Sequence, residues 1–156
     1  MVRMPNRSSH LRAEVRRLAV LVVDDERNIR QTLRVCLELM GADVSEASSA
    51  KAALEISAHR VFDVVFLDLR LGATNGLDLI PPFLAENPDV AIIVITAYAT
   101  IETAVKAIKT GAWDYLQKPF TPAEIRTLLE RVVDQFPERE EPSLRLQRVH
   151  GPRGKR

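Results

Sequence analysis

"LAVLVVDDERN", Leu18 to Asn28, runs six apolar residues straight into Asp24, Asp25 and Glu26. An unbroken run of aliphatic residues of this length suits a strand covered on both faces. Its ending is the puzzle. Two carboxylates about 4 Å apart repel by roughly 4 kcal/mol at an effective dielectric of about 20, and a third adds to this. A chain that closes a buried strand in this way needs a counter-charge at the same place.

Outward from this stretch the apolar run recurs as "VFDVVFL" (61–67) and "VAIIVI" (90–95). The weaker "ADVSEA" (42–47) and "AWDYLQK" (112–118) complete a set of five strands. Between them the period changes. Ile29, Leu33, Cys36, Leu37 and Met40 share one helical face, ended by Gly41. Ile101, Ala104, Val105 and Ile108 repeat the core-facing pattern up to Gly111, and Ile125, Leu128, Leu129, Val132, Val133 and Phe136 form a third stripe. This last helix opens with "TPAE", which supplies an N-cap Thr121, Pro122 at the first helical position and Glu124 to close a capping box. Residues 50–58 and 76–86 are the other two helices, and "IPPF" (80–83) demands a kink or a late start in the second of them. Five strands alternating with five helices predict an α/β fold with a parallel sheet covered on both faces. Its natural form is the flavodoxin-like (βα)5 three-layer sandwich with strand order 2-1-3-4-5.

The 156 residues, 46% hydrophobic and 28% charged, suit one globular domain rather than a disordered chain. No apolar run approaches the roughly 18 residues that cross a bilayer, and the N-terminal segment lacks the apolar stretch of a secretory signal. Cys36 stands alone and fits a reducing compartment, so the expected location is cytoplasmic. Charge is uneven: residues 18–136 hold eleven Lys or Arg against seventeen Asp or Glu, while 1–17 hold five against one and 137–156 six against three. The acidic body, 18–136, is therefore the domain. Residues 1–17 read as a flexible basic extension, and 137–156 as a linker or tail with no output domain. Neither end interleaves aromatics with its arginines, which favours solvated tails over a nucleic-acid arm.

In such a fold ligands bind beyond the carboxyl ends of the strands. The first strand delivers Asp24 and Asp25 there, the third Asp68, the fourth Thr96 followed by Ala97, and the fifth Lys118. A small hard dication removes the repulsion among three carboxylates, and few protein oxygens suit Mg²⁺. Cations, a hydroxyl and a carboxylate on one rim are the parts of phosphoryl transfer. Asp68, between the acidic pair and Lys118 in strand order, is the best-placed nucleophile and would become an acyl phosphate. Each residue also has a plainer reading. Asp25 or Glu26 could favour the start of the next helix, Thr96 could be structural, and Trp113 and Tyr115 could be packing aromatics. Cys36 reads as inert packing, and His10, His59 and His150 lack ligand spacing.

The segments "VLVVDDE", "DVVFLDLRLGATNGLDLI" and "IVITAYATIETAVKAIKTGAWDYLQKPF" resemble the receiver domains of two-component response regulators over about residues 18–136. The last is most similar to receivers of NtrC-type transcriptional activators. The resemblance implies that Asp68 is the phospho-acceptor. The Mg²⁺ would be held by Asp25 directly, by Asp24 largely through water, by Asp68, and by the backbone carbonyl of Arg70. It implies that Thr96 is the switch hydroxyl, that Lys118 pairs with the phosphoryl group, that Tyr115 is the switch aromatic, and that Lys118-Pro119 is cis. The implied partner is a sensor histidine kinase. The domain would be no enzyme beyond its own phosphorylation and slow dephosphorylation. A phosphorylation-favoured homodimer would use the fourth helix, fifth strand and fifth helix (roughly 100–136), and DNA would be reached only through an output domain outside this chain; no membrane is involved.

Rival functions are a free-standing phosphorelay receiver, a receiver never phosphorylated, and a Mg²⁺-dependent aspartyl-phosphate phosphatase. The phosphatase would need a second acid where Arg70 stands. A flavodoxin would need a phosphate loop where "DDERN" is acidic. Period two places Trp113 and Tyr115 together on the face opposite Lys118. Gly72 stands where the family often has proline, which predicts a looser loop. Arg70 and Tyr98, with Ala97, flank the pocket, and the two large side chains would obstruct an attacking water.

Overall fold

In the computed structural model, which describes residues 18–135, five strands form one parallel sheet: β1 (Ala19–Val23), β2 (Asp43–Ala47), β3 (Val64–Asp68), β4 (Ala91–Thr96) and β5 (Asp114–Gln117). Their order is β2-β1-β3-β4-β5, as the alternation of patterns predicts. Five helices cover it: α1 (Arg27–Leu39), α2 (Ala50–His59), α3 (Ile80–Glu86), α4 (Ile101–Thr110) and α5 (Pro122–Gln135). The expectations for 1–17, for Phe136 and for 137–156 lie outside the described residues.

Period two along β1 sorts the core into two layers. Leu18, Val20 and Val22 meet Leu33 and Leu37 of α1 and Ile125, Leu129 and Val132 of α5. Ala19, Leu21 and Val23 belong to the other layer, with Ala53 of α2, Ile80 and Phe83 of α3, and Ala107 of α4. Because both faces are covered, the central strands β1, β3 and β4 are buried throughout, which is why they read as continuous apolar runs.

Local signals mostly hold. In the capping box of α5, the Thr121 N–H donates to Glu124 Oε1 at 3.1 Å and the Glu124 N–H to Thr121 Oγ1 at 3.2 Å. Gly41 follows α1 with φ 94, in the left-handed region that ends helices. The helix around "IPPF" starts late: a 3-10 turn (Gly76–Leu79) precedes α3 and leaves Pro81 and Pro82 in its first turn, where backbone N–H groups have no helical partner to lose.

Three readings are corrected. The third strand begins at Val64, not Val61, because Asp63 is spent fastening the sheet's lower edge: its carboxylate accepts the Ala19 N–H at 2.8 Å and its own N–H donates to the Ala19 carbonyl at 2.8 Å. Trp113 and Tyr115 do not share a face. Trp113 precedes β5 and packs on the α1–α5 layer, while Tyr115 packs on the layer holding α4, so the period of a strand does not relate them. The large residues of the α4 stripe face outward, and only its Ala104 turns partly inward. Ile101, Val105 and Ile108 are exposed by 87%, 46% and 49%, and the helix rests on the sheet through Ala107, with Thr103, Ala104 and Thr110 half-buried beside it.

Candidate functional site

The parallel sheet brings four of the expected side chains to one rim. Asp24 follows β1, Asp68 ends β3, Thr96 ends β4 and Lys118 follows β5; all four are buried. Strand pairing sets the spacing, with Asp68 opposite Ile95 and Thr96 opposite Gln117. Lys118 Nζ lies 2.8 Å from Asp24 Oδ2 and 3.0 Å from Asp68 Oδ2. It is thus the counter-charge that the opening stretch required. The Lys118-Pro119 bond is cis, and the Lys118 N–H donates to the Thr96 carbonyl at 2.9 Å, which ties the ends of β4 and β5 together.

One ammonium does not balance the rim. Asp24, Asp25, Glu26 and Asp68 each place a carboxylate oxygen within 4.8 Å of the others. Burial raises the pKa of Asp24, and the charge of Asp68 adds to this; the Lys118 ammonium and the Glu26 N–H oppose it without cancelling it. For Lys118 burial acts downward, but its bonds to Asp24 and Asp68 and their charges outweigh that and hold its pKa above the ordinary lysine value. Four acids on one base, all oxygen donors at close range, fit a small hard dication.

Around this centre lie the remaining expected residues. The Arg70 N–H donates to Asp68 Oδ1 at 3.2 Å. The Arg70 guanidinium stacks over the Tyr98 ring, 3.4 Å from its centroid. This joins the segment after β3 to the segment after β4, with Ala97 exposed beside it. Thr96 Oγ1 accepts the Tyr98 N–H at 3.1 Å. Tyr115 stands apart from the acids. Its hydroxyl is 2.8 Å from Thr103 Oγ1, and Thr103 forms the capping box of α4 with Thr100. Gly76 is dictated by contact: a Cβ there would lie 2.1 Å from the Asp68 carbonyl oxygen.

Two participants escaped the sequence reading. Glu26 reaches Lys118 at 3.5 Å; the "DDE" triplet contained the signal, but only its first two members were assigned to the rim. Thr103 is the partner of Tyr115, and nothing in a lone threonine on a helix announces that. The segment after Asp68 forms a paired ribbon, Arg70–Leu71 against Thr74–Asn75.

The sequence model of the response regulator receiver domain matches residues 20–130. The chain belongs to this family. It is 46% identical over 107 residues to the alginate biosynthesis transcriptional regulatory protein AlgB of Pseudomonas putida, an alignment covering 69% of this chain and 24% of that protein. The relatives it matches are NtrC-type transcriptional activators, and the chain spans about a quarter of their length. Among solved structures it superposes with a TM-score of 0.70 and 37% identity on a Burkholderia pseudomallei response regulator bearing a phosphorylated aspartic acid, a calcium ion and citrate, covering 78% of this chain and 72% of that one. It superposes with a TM-score of 0.72 and 33% identity on the beryllofluoride-activated NtrC4 receiver domain dimer, covering 76% and 98%. The receiver is a signalling domain rather than a conventional enzyme. Among the described residues no helix is long and apolar enough to cross a membrane.

Proposed function

We propose that the domain, residues 18–136, is a phosphorylation switch in which Asp68 accepts a phosphoryl group from a partner histidine kinase. The observation that carries this reading is the buried Asp68 carboxylate held at 3.0 Å by Lys118 within a cluster of acids. An Asp68 oxygen attacks phosphorus, the phosphorus–nitrogen bond of the phosphohistidine breaks, and the departing imidazole keeps its electron pair and takes up a proton. Held by Asp24, Asp25, Asp68 and the Arg70 carbonyl, Mg²⁺ would supply charge neutralisation for the phosphoryl oxygens. Lys118 turns from Asp24 and Asp68 to the new phosphoryl oxygens, and the Thr96 hydroxyl donates to one of them. A cytoplasmic location accords with this partner.

The consequence is carried to α4, β5 and α5. Thr96 and α4 are joined by a short loop, and Tyr115 is tied to the first turn of α4 through Thr103. A shift at Thr96 therefore pulls on both. Ile101, Val105 and Ile108 on the outer face of α4 supply an apolar centre for a phosphorylation-favoured homodimer, the kind of assembly described for the NtrC4 receiver. Transcriptional output would need the further length that the NtrC-type relatives possess.

Incubation with a small phosphodonor and Mg²⁺ should add the mass of one phosphoryl group, and Asp68→Asn should abolish the gain; a normal gain in that variant would reject the reading. The Arg70–Tyr98 stack joins the segments that follow Asp68 and Thr96, and on this reading it slows attack by water on the acyl phosphate. Arg70→Ala and Tyr98→Ala should each shorten the half-life of the phosphorylated protein, and unchanged half-lives would remove the stack from the account.

A further inference from the structure

The ribbon after Asp68 presents a donor that a proline could not supply. Gly72 and Ala73 join its two strands. Gly72 has φ 59, and among the described residues no non-glycine has a positive φ, which is the pattern of a type II′ hairpin with glycine at its first central position. A Cβ at Gly72 would meet nothing within 4 Å, so backbone conformation, not space, selects the residue. This turn aims the Gly72 N–H at Asp25 Oδ2, 3.0 Å away.

Asp25 has particular need of such a partner. Asp24 and Asp68 are buried and gripped by Lys118. Asp25 is exposed, and no other donor among the described residues reaches it. With Asp24, Glu26 and Asp68 close by, repulsion and rotamer freedom both favour its swinging into solvent. One backbone N–H opposes them, and a carboxylate fixed at one oxygen keeps the second for a cation.

We propose that Gly72 is a positioning residue for the divalent-cation site, its amide holding the Asp25 carboxylate within the acidic cluster. The inference rests on the reading of that cluster as a cation site. Outer-shell partners of metal ligands commonly change metal affinity by about tenfold or more when lost. Mn²⁺ binding to the full chain, followed by the electron paramagnetic resonance of free Mn²⁺ with no phosphodonor present, should be about tenfold weaker in Gly72→Pro. Because proline also disrupts the turn, a second measurement concerns the bond itself. Exchange of the Gly72 amide with solvent should accelerate about fivefold or more in Asp25→Ala, by loss of a charge-assisted hydrogen bond. Equal Mn²⁺ affinity in Gly72→Pro, or unchanged amide exchange in Asp25→Ala, overturns the inference alone. Failure of the unmodified chain to bind Mn²⁺ removes the cation reading, and the role of Gly72 with it.

Discussion

Helices α4 and α5 carry similar apolar stripes in the sequence, yet α5 buries Ile125, Leu128, Leu129, Val132 and Val133 while α4 buries only Ala107 and turns Ile101, Val105 and Ile108 to solvent. Full burial of a Leu, Ile or Val side chain is worth about 1.5–3 kcal/mol, so α5 is anchored by several such terms and α4 by a methyl group. What holds α4 instead is directional: the Thr100–Thr103 capping box, the Tyr115 hydroxyl, and Gly111 at its C-terminal end. Elements with few buried apolar contacts open at low free energy. The helix joined to Thr96 by a short loop is thus the one that can be displaced at small cost, and the helix that stiffens the opposite layer is not.

The sharpest way to break this contrast is to truncate one residue from each helix. Leu129→Ala, at a position with no exposure, should lower unfolding stability by about 2–5 kcal/mol. Ile108→Ala, half exposed, should change it by only about 0.5 kcal/mol. Urea unfolding of both variants measures the difference. Losses of similar size would mean that α4 is an ordinary core helix.

That contrast also marks where sequence reading stopped. The central strands were legible because burial on both faces leaves no alternation to misread, and Asp24, Asp68, Thr96 and Lys118 were legible because a parallel sheet delivers every strand end to one edge. The orientation of α4 was not. Its helical wheel offers two candidate inner faces on either side of Ala104, one of large residues (Ile101, Val105, Ile108) and one of small ones (Thr103, Ala107), and hydropathy ranks the large face first. Packing chose the small face. The faces of Trp113 and Tyr115 were lost for a related reason: period two applies only inside a strand, and β5 starts at Asp114. The Gly72 amide is a backbone group, and no residue pattern displays where it points.

A second test uses the outward face itself. Ile101→Glu combined with Ile108→Glu places charge on surface positions, so the unphosphorylated monomer should keep its stability to within about 0.5 kcal/mol. If this face is the centre of a dimer, the phosphorylated double variant should associate at least about tenfold more weakly, a loss of about 1.4 kcal/mol. Sedimentation of phosphorylated samples at several concentrations reads that change. An unaltered association constant would locate the contact elsewhere and leave the apolar stripe of α4 without a partner.

The smallest effect probes what ties α4 down. Tyr115→Phe keeps the ring in its layer and deletes only the hydroxyl that lies 2.8 Å from Thr103 Oγ1. One such bond contributes about 0.5–1.5 kcal/mol net, and Thr103 retains its capping bonds to Thr100. The loss should therefore be local. Amides of the first turns of α4, around Thr103 to Ala107, should exchange faster by a factor of about 2–10, while those of α5 keep their rates, because opening of α4 need not open the opposite layer. Thr103→Val removes the same bond together with part of the capping box. In the double variant the two changes should be less than additive, as expected for partners in contact. Acceleration spread equally over α4 and α5 would show that the hydroxyl supports the whole fold rather than one helix, and the difference between the two helices would then lie in their burial alone.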